Sequence, residues 1–204
     1  MNVLKVLRTA VLAVLLFLTI HIIFSERVTV EQEEIAKELI RFHVRANSDS
    51  KADQQLKLEV KNTVVNYMEQ ILEGSQSVEE SKKRIEENMD AILWEAMNTI
   101  HARGYDYDVY GYMVKEYFPL RVYGDIALPP GEYTAFRIDI GEARGKNWWC
   151  VLYPPLCFVD ITHGVVPKES KEEFQNIIGE ETPALTDTCS LEFKYLTFLN
   201  KYLE

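Results

Sequence analysis

The fold of this chain is decided by Ile40-Arg41-Phe42-His43-Val44-Arg45-Ala46, in which apolar residues alternate strictly with basic ones. Successive side chains of a β-strand point to opposite faces of a sheet, so a period of two predicts a half-buried strand. Ile35, Leu39, Phe42 and Ala46 also fall at helical spacing, and a short helix that ends before the strand begins is the competing interpretation. The alternation favours the strand, with His43 among the surface residues of its polar face.

Two amphipathic helices are expected after this strand. Asn47-Ser48-Asp49-Ser50 ends the strand, and Ser50 with Asp53 has the spacing of a capping box that opens a helix. This helix ends at Gly74, and Ser77 with Glu80 opens a second helix that stops at Gly104. Each has one apolar stripe, so together they predict a helical hairpin that covers a sheet. The stripes consist of Leu56, Val60, Val64, Tyr67 and Ile71, and of Ile85, Met89, Ile92, Ala96 and Ile100.

The second half of the chain predicts the strands of that sheet. Residues 105–118 are rich in Tyr and Val, residues 121–128 and 132–140 flank a Pro-Pro-Gly turn, and residues 148–153 follow a second turn at 141–145. Residues 170–178 and the last residues of the chain predict short helices. The expected fold class is therefore α+β: an N-terminal membrane or signal helix, a strand, a two-helix hairpin and a mainly antiparallel sheet, with short C-terminal helices.

Residues 1–25 predict a signal or membrane anchor segment. Residues 9–24 are almost continuously apolar and follow Lys5 and Arg8. As a helix this run measures about 24 Å, less than the hydrocarbon core of roughly 30 Å, while Ile23-Phe24-Ser25 lacks the small residue expected at a cleavage site. An uncleaved anchor is favoured over a cleaved signal. Because Lys5 and Arg8 keep the N-terminus in the cytoplasm, residues 26–204 are expected to form an extracytoplasmic α+β domain.

Charge and composition exclude several classes of function. Beyond residue 25 the chain has 20 basic and 32 acidic residues, a formal balance of −12, which disfavours nucleic acid and anionic lipid as partners. The glycines near residues 141–145 match no phosphate-binding fingerprint. Cys150 and Cys157 lack the neighbouring His that a zinc site would need. We therefore expect no cofactor, no metal and no small-molecule substrate.

The strongest candidate for a binding surface is the run Asn147-Trp148-Trp149-Cys150-Val151-Leu152-Tyr153-Pro154-Pro155-Leu156-Cys157-Phe158. Adjacent Trp residues in an extended segment point to opposite faces, so at least one is expected to meet solvent or another protein. Trp, Tyr and Arg on a rigid segment are typical of interface hot spots; the alternative is that they belong to the sheet core. The partner-binding residues predicted here are Arg144, Asn147, Trp148, Trp149, Tyr153, Pro154 and Pro155.

The cysteines and one polar loop allow two interpretations each. Cys150 and Cys157 are disulfide candidates outside the cytoplasm, with Cys189 as an alternative partner, and three buried free thiols are the other interpretation. Asn47 and Asp49 either belong to a polar recognition loop that contacts the partner or serve the turn before the helix.

Several motifs, in order along the chain, resemble the stage II sporulation protein R family. They are Arg41-Phe42-His43-Val44-Arg45-Ala46-Asn47-Ser48-Asp49-Ser50, Asp53-Gln54, Leu56-Lys57, Tyr123-Gly124-Asp125, Leu128-Pro129-Pro130-Gly131-Glu132-Tyr133 and the run at 147–158. The similarity extends from about residue 39 to residue 160, and no motif is matched beyond His163.

The resemblance implies a secreted signalling protein of endospore-forming bacteria. Such a protein is made in the forespore, is exported into the space between the forespore and mother-cell membranes, and activates a membrane-embedded aspartic protease of the mother cell. That protease processes the precursor of sigma factor E. The chain itself is then not an enzyme. Two other classes stay open: an extracytoplasmic hydrolase that uses Cys150 or Cys189, and a structural envelope protein held by its N-terminal helix.

Overall fold

The structure is a computed structural model that describes residues 3–123, 126–157, 172 and 174 of the chain. Four helices and six strands follow one another in these residues. They are α1 (Val3–Lys37), β1 (Ile40–Arg45), α2 (Lys51–Leu72), α3 (Val78–Glu87), α4 (Met89–Ala102), β2 (Val109–Phe118), β3 (Arg121–Tyr123), β4 (Ile126–Leu128), β5 (Gly131–Ile140) and β6 (Asn147–Tyr153). The α+β class predicted from the sequence is confirmed.

Strand β1 lies inside the main sheet, whose order is β2-β5-β1-β6. It pairs antiparallel with β6 and parallel with β5, while β5 and β2 are antiparallel. The sheet is therefore mixed, and two of its three pairings have the predicted antiparallel direction. The β1–β5 pairing is parallel because the helices and β2 intervene in the chain, which lets β5 return beside β1 in the same direction.

The helices cover one face of this sheet and bury the even-numbered side chains of β1. Phe42 stacks on Phe136 of β5 at 5.6 Å between ring centroids, and both are fully buried. Of the predicted apolar stripes, Tyr67, Ile71 and Met89 are half-buried and pack against the core. The others are fully or almost fully buried: Leu56, Val60, Val64, Ile85, Ile92, Ala96 and Ile100.

The predicted second helix is in fact two helices, α3 and α4, which meet at Asn88. The Asn88 backbone N–H donates to the carbonyls of Arg84 and Ile85, and its side-chain amide also donates to Arg84 at 2.8 Å. Asn competes with the helical backbone for such hydrogen bonds. The break was missed because the sequence has neither Gly nor Pro at this point.

Two strand predictions also need correction. The strand expected from residue 105 begins at Val109, and the single strand expected at 121–128 is instead two short strands, β3 and β4, which pair antiparallel with each other. In the described part of the chain neither of them pairs with a strand of the main sheet. The helix predicted at 170–178 is described only at Glu172 and Phe174, which are helical, and the final predicted element lies outside the described residues.

Helix α1 runs without interruption into the body of the protein. Near its C-terminal end Ile35 is buried and the Gln32 amide donates to the Glu132 carbonyl at 3.1 Å. The helix ends at Lys37 and β1 begins at Ile40, so the competing helical and extended patterns describe successive elements.

The N-terminal part of α1 exposes apolar side chains along residues 7–20. Within the described residues, no helix has an apolar stretch long enough to cross a membrane. The membrane-spanning character predicted for residues 1–25 is therefore not supported. The apolar run covers only residues 9–24, which is shorter as a helix than the hydrocarbon core.

Gly145 allows the loop before β6 to approach the end of β1. Its N–H donates to the Ala46 carbonyl at 2.9 Å, and a Cβ at this position would collide with the Ser48 carbonyl oxygen. We expect Gly145→Ala to lower the free energy of unfolding by about 1–3 kcal/mol, because backbone has to move. Lys146→Ala in the same loop is the control and should change it by less than about 0.5 kcal/mol. Urea denaturation measures both, and equal stabilities would contradict the close approach.

Candidate partner-binding site at the edge of the sheet

The two adjacent Trp residues lie on β6, an edge strand that pairs only with β1 among the described strands. Trp148 is on the helix-covered face, where its ring meets Phe42 edge-on at 6.1 Å. Trp149 is on the opposite face and stacks on His43, with centroids 4.9 Å apart and planes 6° apart. Both are half-buried. The two rings therefore flank the edge of the sheet, one on each side.

A basic side chain lies over each of these rings. Lys61 Nζ is 4.7 Å from the centroid of Trp148, and Arg121 Cζ is 5.3 Å from that of Trp149. Cation–π contacts of this kind contribute roughly 0.5–2 kcal/mol. Together with Phe42 and His43 they hold both indoles in place before any partner arrives, which lowers the entropic cost of binding.

Among the described residues, no strand pairs with the outer backbone of β6. The Val151 carbonyl accepts from the N–H groups of Leu156 and Cys157, so it points away from β1. Backbone groups alternate in direction along a strand, which turns those of Trp149 and Asn147 to the same outer side. The buried Asn147 Oδ1 has no hydrogen-bond partner in the described structure. A strand edge without a described neighbour is the kind of surface that can accept an added strand from a partner.

The other residues predicted for the site are dispersed around this edge. Tyr153 and Pro154 are buried, while Pro155 is half-buried and lines, with Tyr153, a groove of about 630 Å³ beside the C-terminal end of α2. Arg144 is exposed in the preceding loop, 3.4 Å from Glu142. The structure thus brings Trp148, Trp149 and Asn147 together on the edge strand and places the others beyond its two ends.

Cys150 and Cys157 are joined by a disulfide across the Pro154-Pro155 turn. Cys150 is fully buried, and the pair closes the loop that returns to Val151. Cys189 lies outside the described residues. Within those residues, no group of three or more His, Cys, Asp and Glu side chains is arranged to hold a metal ion.

Asn47 and Asp49 attach the loop that leads into β6. Asn47 Oδ1 accepts from the Glu142 N–H at 2.9 Å, and Asp49 Oδ1 accepts from the Lys146 N–H at 2.7 Å. These bonds tie residues 142–146 to the turn after β1. Both side chains therefore have a structural role in positioning the Trp-bearing strand.

Asp53 completes this junction. As predicted, Ser50 caps α2 by accepting from the Asp53 N–H, while the Asp53 carboxylate accepts from Asn47, Ser48 and Tyr107. The Ser50 backbone N–H donates to Ser48 Oγ. Burial raises the pKa of Asp53, but the hydrogen bonds from Ser48, Asn47 and Tyr107 outweigh it and hold the pKa below its usual value.

His43 and Arg41 are fully buried, contrary to the expectation that His43 would be a surface residue. Trp149 and Phe118 cover His43, and its Nε2 is 2.9 Å from Glu116. Burial lowers the pKa of His43, while the nearby Glu116 carboxylate opposes this. The alternation at residues 40–46 could indicate that these side chains share a face. It could not show that this face is covered as well.

Comparison with known proteins identifies the family. The family model for stage II sporulation protein R matches residues 36–163, a region that contains β1 to β6. The chain belongs to this family. Stage II sporulation protein R of Bacillus subtilis (strain 168) is 36% identical over 139 residues, which cover 68% of this chain and 62% of that protein. The alignment thus spans less than two thirds of that relative. No solved structure is significantly similar.

The family match begins in α1 and includes Asp53, whose carboxylate joins the turn after β1 to α2. Because its pKa is lowered on folding, the ionised carboxylate stabilises the protein above the pKa of an unfolded Asp, and this contribution is lost as the pH falls through the folded pKa. We expect Asp53→Asn to lower the free energy of unfolding by about 1.5–3 kcal/mol at neutral pH, and by less in acid.

Urea denaturation of wild type and Asp53→Asn, at neutral and at acidic pH, measures this difference in the free energy of unfolding. Asp90→Asn, at an exposed position in the first turn of α4, is the control and should have a small effect. A difference between wild type and Asp53→Asn that does not shrink in acid would show that the carboxylate charge is not what stabilises the junction.

Proposed function

We propose that this chain is an extracytoplasmic sporulation signal. In this proposal it is exported from the forespore into the space between the two membranes, where it binds and activates a membrane-embedded aspartic protease of the mother cell that processes the sigma-E precursor. Membership in the stage II sporulation protein R family supports the role in sporulation. The observation that carries the binding role is the pair of pre-positioned Trp rings on β6, an edge strand among the described strands.

The energy required for such a switch is within reach of this site. A ligand that converts a receptor from 1% to 99% active must bind the active state about 10⁴-fold more tightly, or by about 5.5 kcal/mol. Interface hot spots contribute roughly 2 kcal/mol or more each. Two Trp rings and a few backbone hydrogen bonds to an added strand are together of that order. Activation by binding therefore needs no chemistry from this chain.

A hydrolase built on Cys150 is disfavoured. A cysteine nucleophile acts as a free thiolate, whereas the Cys150 sulfur is bonded to Cys157 and fully buried. The family relative is named as a sporulation protein, and that name describes no catalytic activity. These observations support a ligand over an enzyme.

We expect Trp148→Ala and Trp149→Ala each to weaken binding to the receptor protease by roughly 30-fold or more, the equivalent of about 2 kcal/mol, and to abolish processing of the sigma-E precursor. The matched control is Trp94→Ala, because Trp94 is 58% exposed on α4, away from the edge strand. Pull-down with the receptor measures binding, and circular dichroism verifies that the variants fold. Wild-type binding by both β6 variants would refute the site.

The role of the N-terminal segment distinguishes the hypothesis of a structural envelope protein from that of a signalling protein. In our proposal the apolar side chains exposed along residues 7–20 hold the protein at the forespore membrane, but activation depends on the domain that follows. Replacing residues 1–25 with a cleavable export signal should therefore preserve processing of the sigma-E precursor. Loss of processing, with normal amounts of the released domain outside the forespore, would favour the envelope protein.

A further inference from the structure

Arg41 is a fully buried cation without a carboxylate partner in the described structure. Its guanidinium donates from Nε to the Cys150 carbonyl at 3.3 Å and from Nη2 to the Tyr123 hydroxyl at 2.9 Å, but Nη1 has no hydrogen-bond partner among the described residues. The rings of Phe118, Tyr133 and Tyr123 surround it at 4.5, 5.0 and 5.7 Å. Aromatic rings offset only part of the several kcal/mol that desolvation of such an ion costs.

Arg121 adds a second uncompensated charge nearby. It lies on β3 above the Trp149 ring, its buried Nε has no hydrogen-bond partner, and no Asp or Glu of the described residues forms an ion pair with it. Burial lowers the pKa of Arg41 against the opposing effects of Tyr123 and Tyr133, and the charge of Arg121 lowers it further. Two like charges are thus held close together in a protein whose formal net charge is −10.

Arg45 and Arg137 on the same sheet face each have a carboxylate partner, which distinguishes them from Arg41 and Arg121. Arg45 binds Asp139 through two hydrogen bonds of 2.8 and 3.1 Å, and Arg137 contacts both Asp139 and Glu116. The same strands therefore supply carboxylates to Arg45 and Arg137, and none to Arg41 and Arg121.

We infer that Arg41 and Arg121 bind a carboxylate of the protein partner, an Asp or Glu side chain that enters beside Trp149. The inference rests on the proposed function and names the chemistry of the partner surface. Guanidinium groups match carboxylates through paired N–H donors, and such charge-assisted bonds are about twice as strong as neutral ones. A partner strand along β6 would run past Trp149, whose ring lies on the same face as both arginines.

The β3–β4 pair controls access to Arg41. It carries both Arg121 and Tyr123, and in the described structure it has no backbone pairing with the main sheet. The Tyr123 hydroxyl accepts a hydrogen bond from Nη2 of Arg41, and the incoming carboxylate would accept this bond in its place. Replacement of a neutral acceptor by a charged one favours the bound state, and the β3–β4 pair moves aside as Tyr123 is displaced.

The acidic remainder of the surface gives this site its selectivity. An acidic partner segment is repelled by most of the chain, whose balance beyond residue 25 is −12. Attraction is confined to the site beside Trp149, so charge repulsion elsewhere favours one docking orientation.

The test uses the full chain with Arg121→Gln and, as the matched control, Lys83→Gln, an exposed position on α3 that also loses one positive charge. Arg121→Gln should weaken binding to the purified receptor protease by about 10-fold to 100-fold. Thermal unfolding of the free chain should show that Arg121→Gln is close to wild type in stability, because relief of the repulsion with Arg41 offsets the lost cation–π contact with Trp149. Lys83→Gln should bind like wild type.

The outcomes separate the sources of the carboxylate. If Arg121→Gln destabilises the free chain by more than the loss of its cation–π contact with Trp149 can explain, the carboxylate comes from this chain itself and the inference is overturned. Acetate is the probe for a small free anion. If millimolar acetate alone stabilises the wild type but not Arg121→Gln, the site binds a small free anion. The inference that the carboxylate belongs to a protein partner is then overturned.

The proposed function and this inference fail in different ways. If Arg121→Gln binds and activates like wild type while Trp148→Ala and Trp149→Ala do not, the carboxylate site is wrong and the signalling function stands. If the wild type itself neither binds nor activates the receptor protease, the proposed function fails and this inference fails with it.

Discussion

The structure depends on the burial of β1 on both faces. Helices cover Phe42 and Val44, while Trp149 and Phe118 cover His43 on the other side. A strand with basic side chains on one face usually leaves that face in water, because burial of a charge costs several kcal/mol unless it is paired. Here Glu116 contacts His43, and the ring of Phe118 packs against the guanidinium of Arg41. The position of the Trp-bearing edge follows from this arrangement, since β6 pairs directly with β1.

The two faces of the sheet have different physical roles. On the helix-covered face, apolar side chains such as Phe42 and Phe136 stabilise the domain by their burial. On the other face, a series of polar and charged contacts runs from His43 through Glu116 and Arg137 to Asp139, and stability there depends on the pairing of each group. Like any strand, β6 presents side chains to both faces, and it also forms one edge of the sheet among the described strands. Its two adjacent Trp side chains therefore combine a rigid base with exposure at the edge, as hot-spot residues require.

Local patterns predicted much of this architecture, and their failures have local causes. Alternation identified β1, and the Ser50 cap located the start of α2 correctly. The break between α3 and α4 at Asn88 was missed because Asn is a weaker signal than Gly or Pro. Likewise, residues 121–128 look like one strand, since nothing in a short apolar sequence reveals that the chain turns back on itself. The apolar run near the N-terminus correctly indicated a helix, but not one that meets the requirement for a membrane span.

By itself, the sequence determined the α+β class, the family, the strand at residues 40–46 and the placement of Trp148 and Trp149 on opposite faces of one strand, because these depend on periodicity, turn residues and motifs within a few positions. Only the tertiary structure decided that β1 is paired on both sides, that Asn47 and Asp49 hold the loop before β6, and that Arg41 lies buried beside Arg121 without a carboxylate. The physical reason is that burial and ion pairing are set by residues about 80 to 110 positions apart, such as Tyr123 and Cys150 around Arg41. No local pattern contains that information.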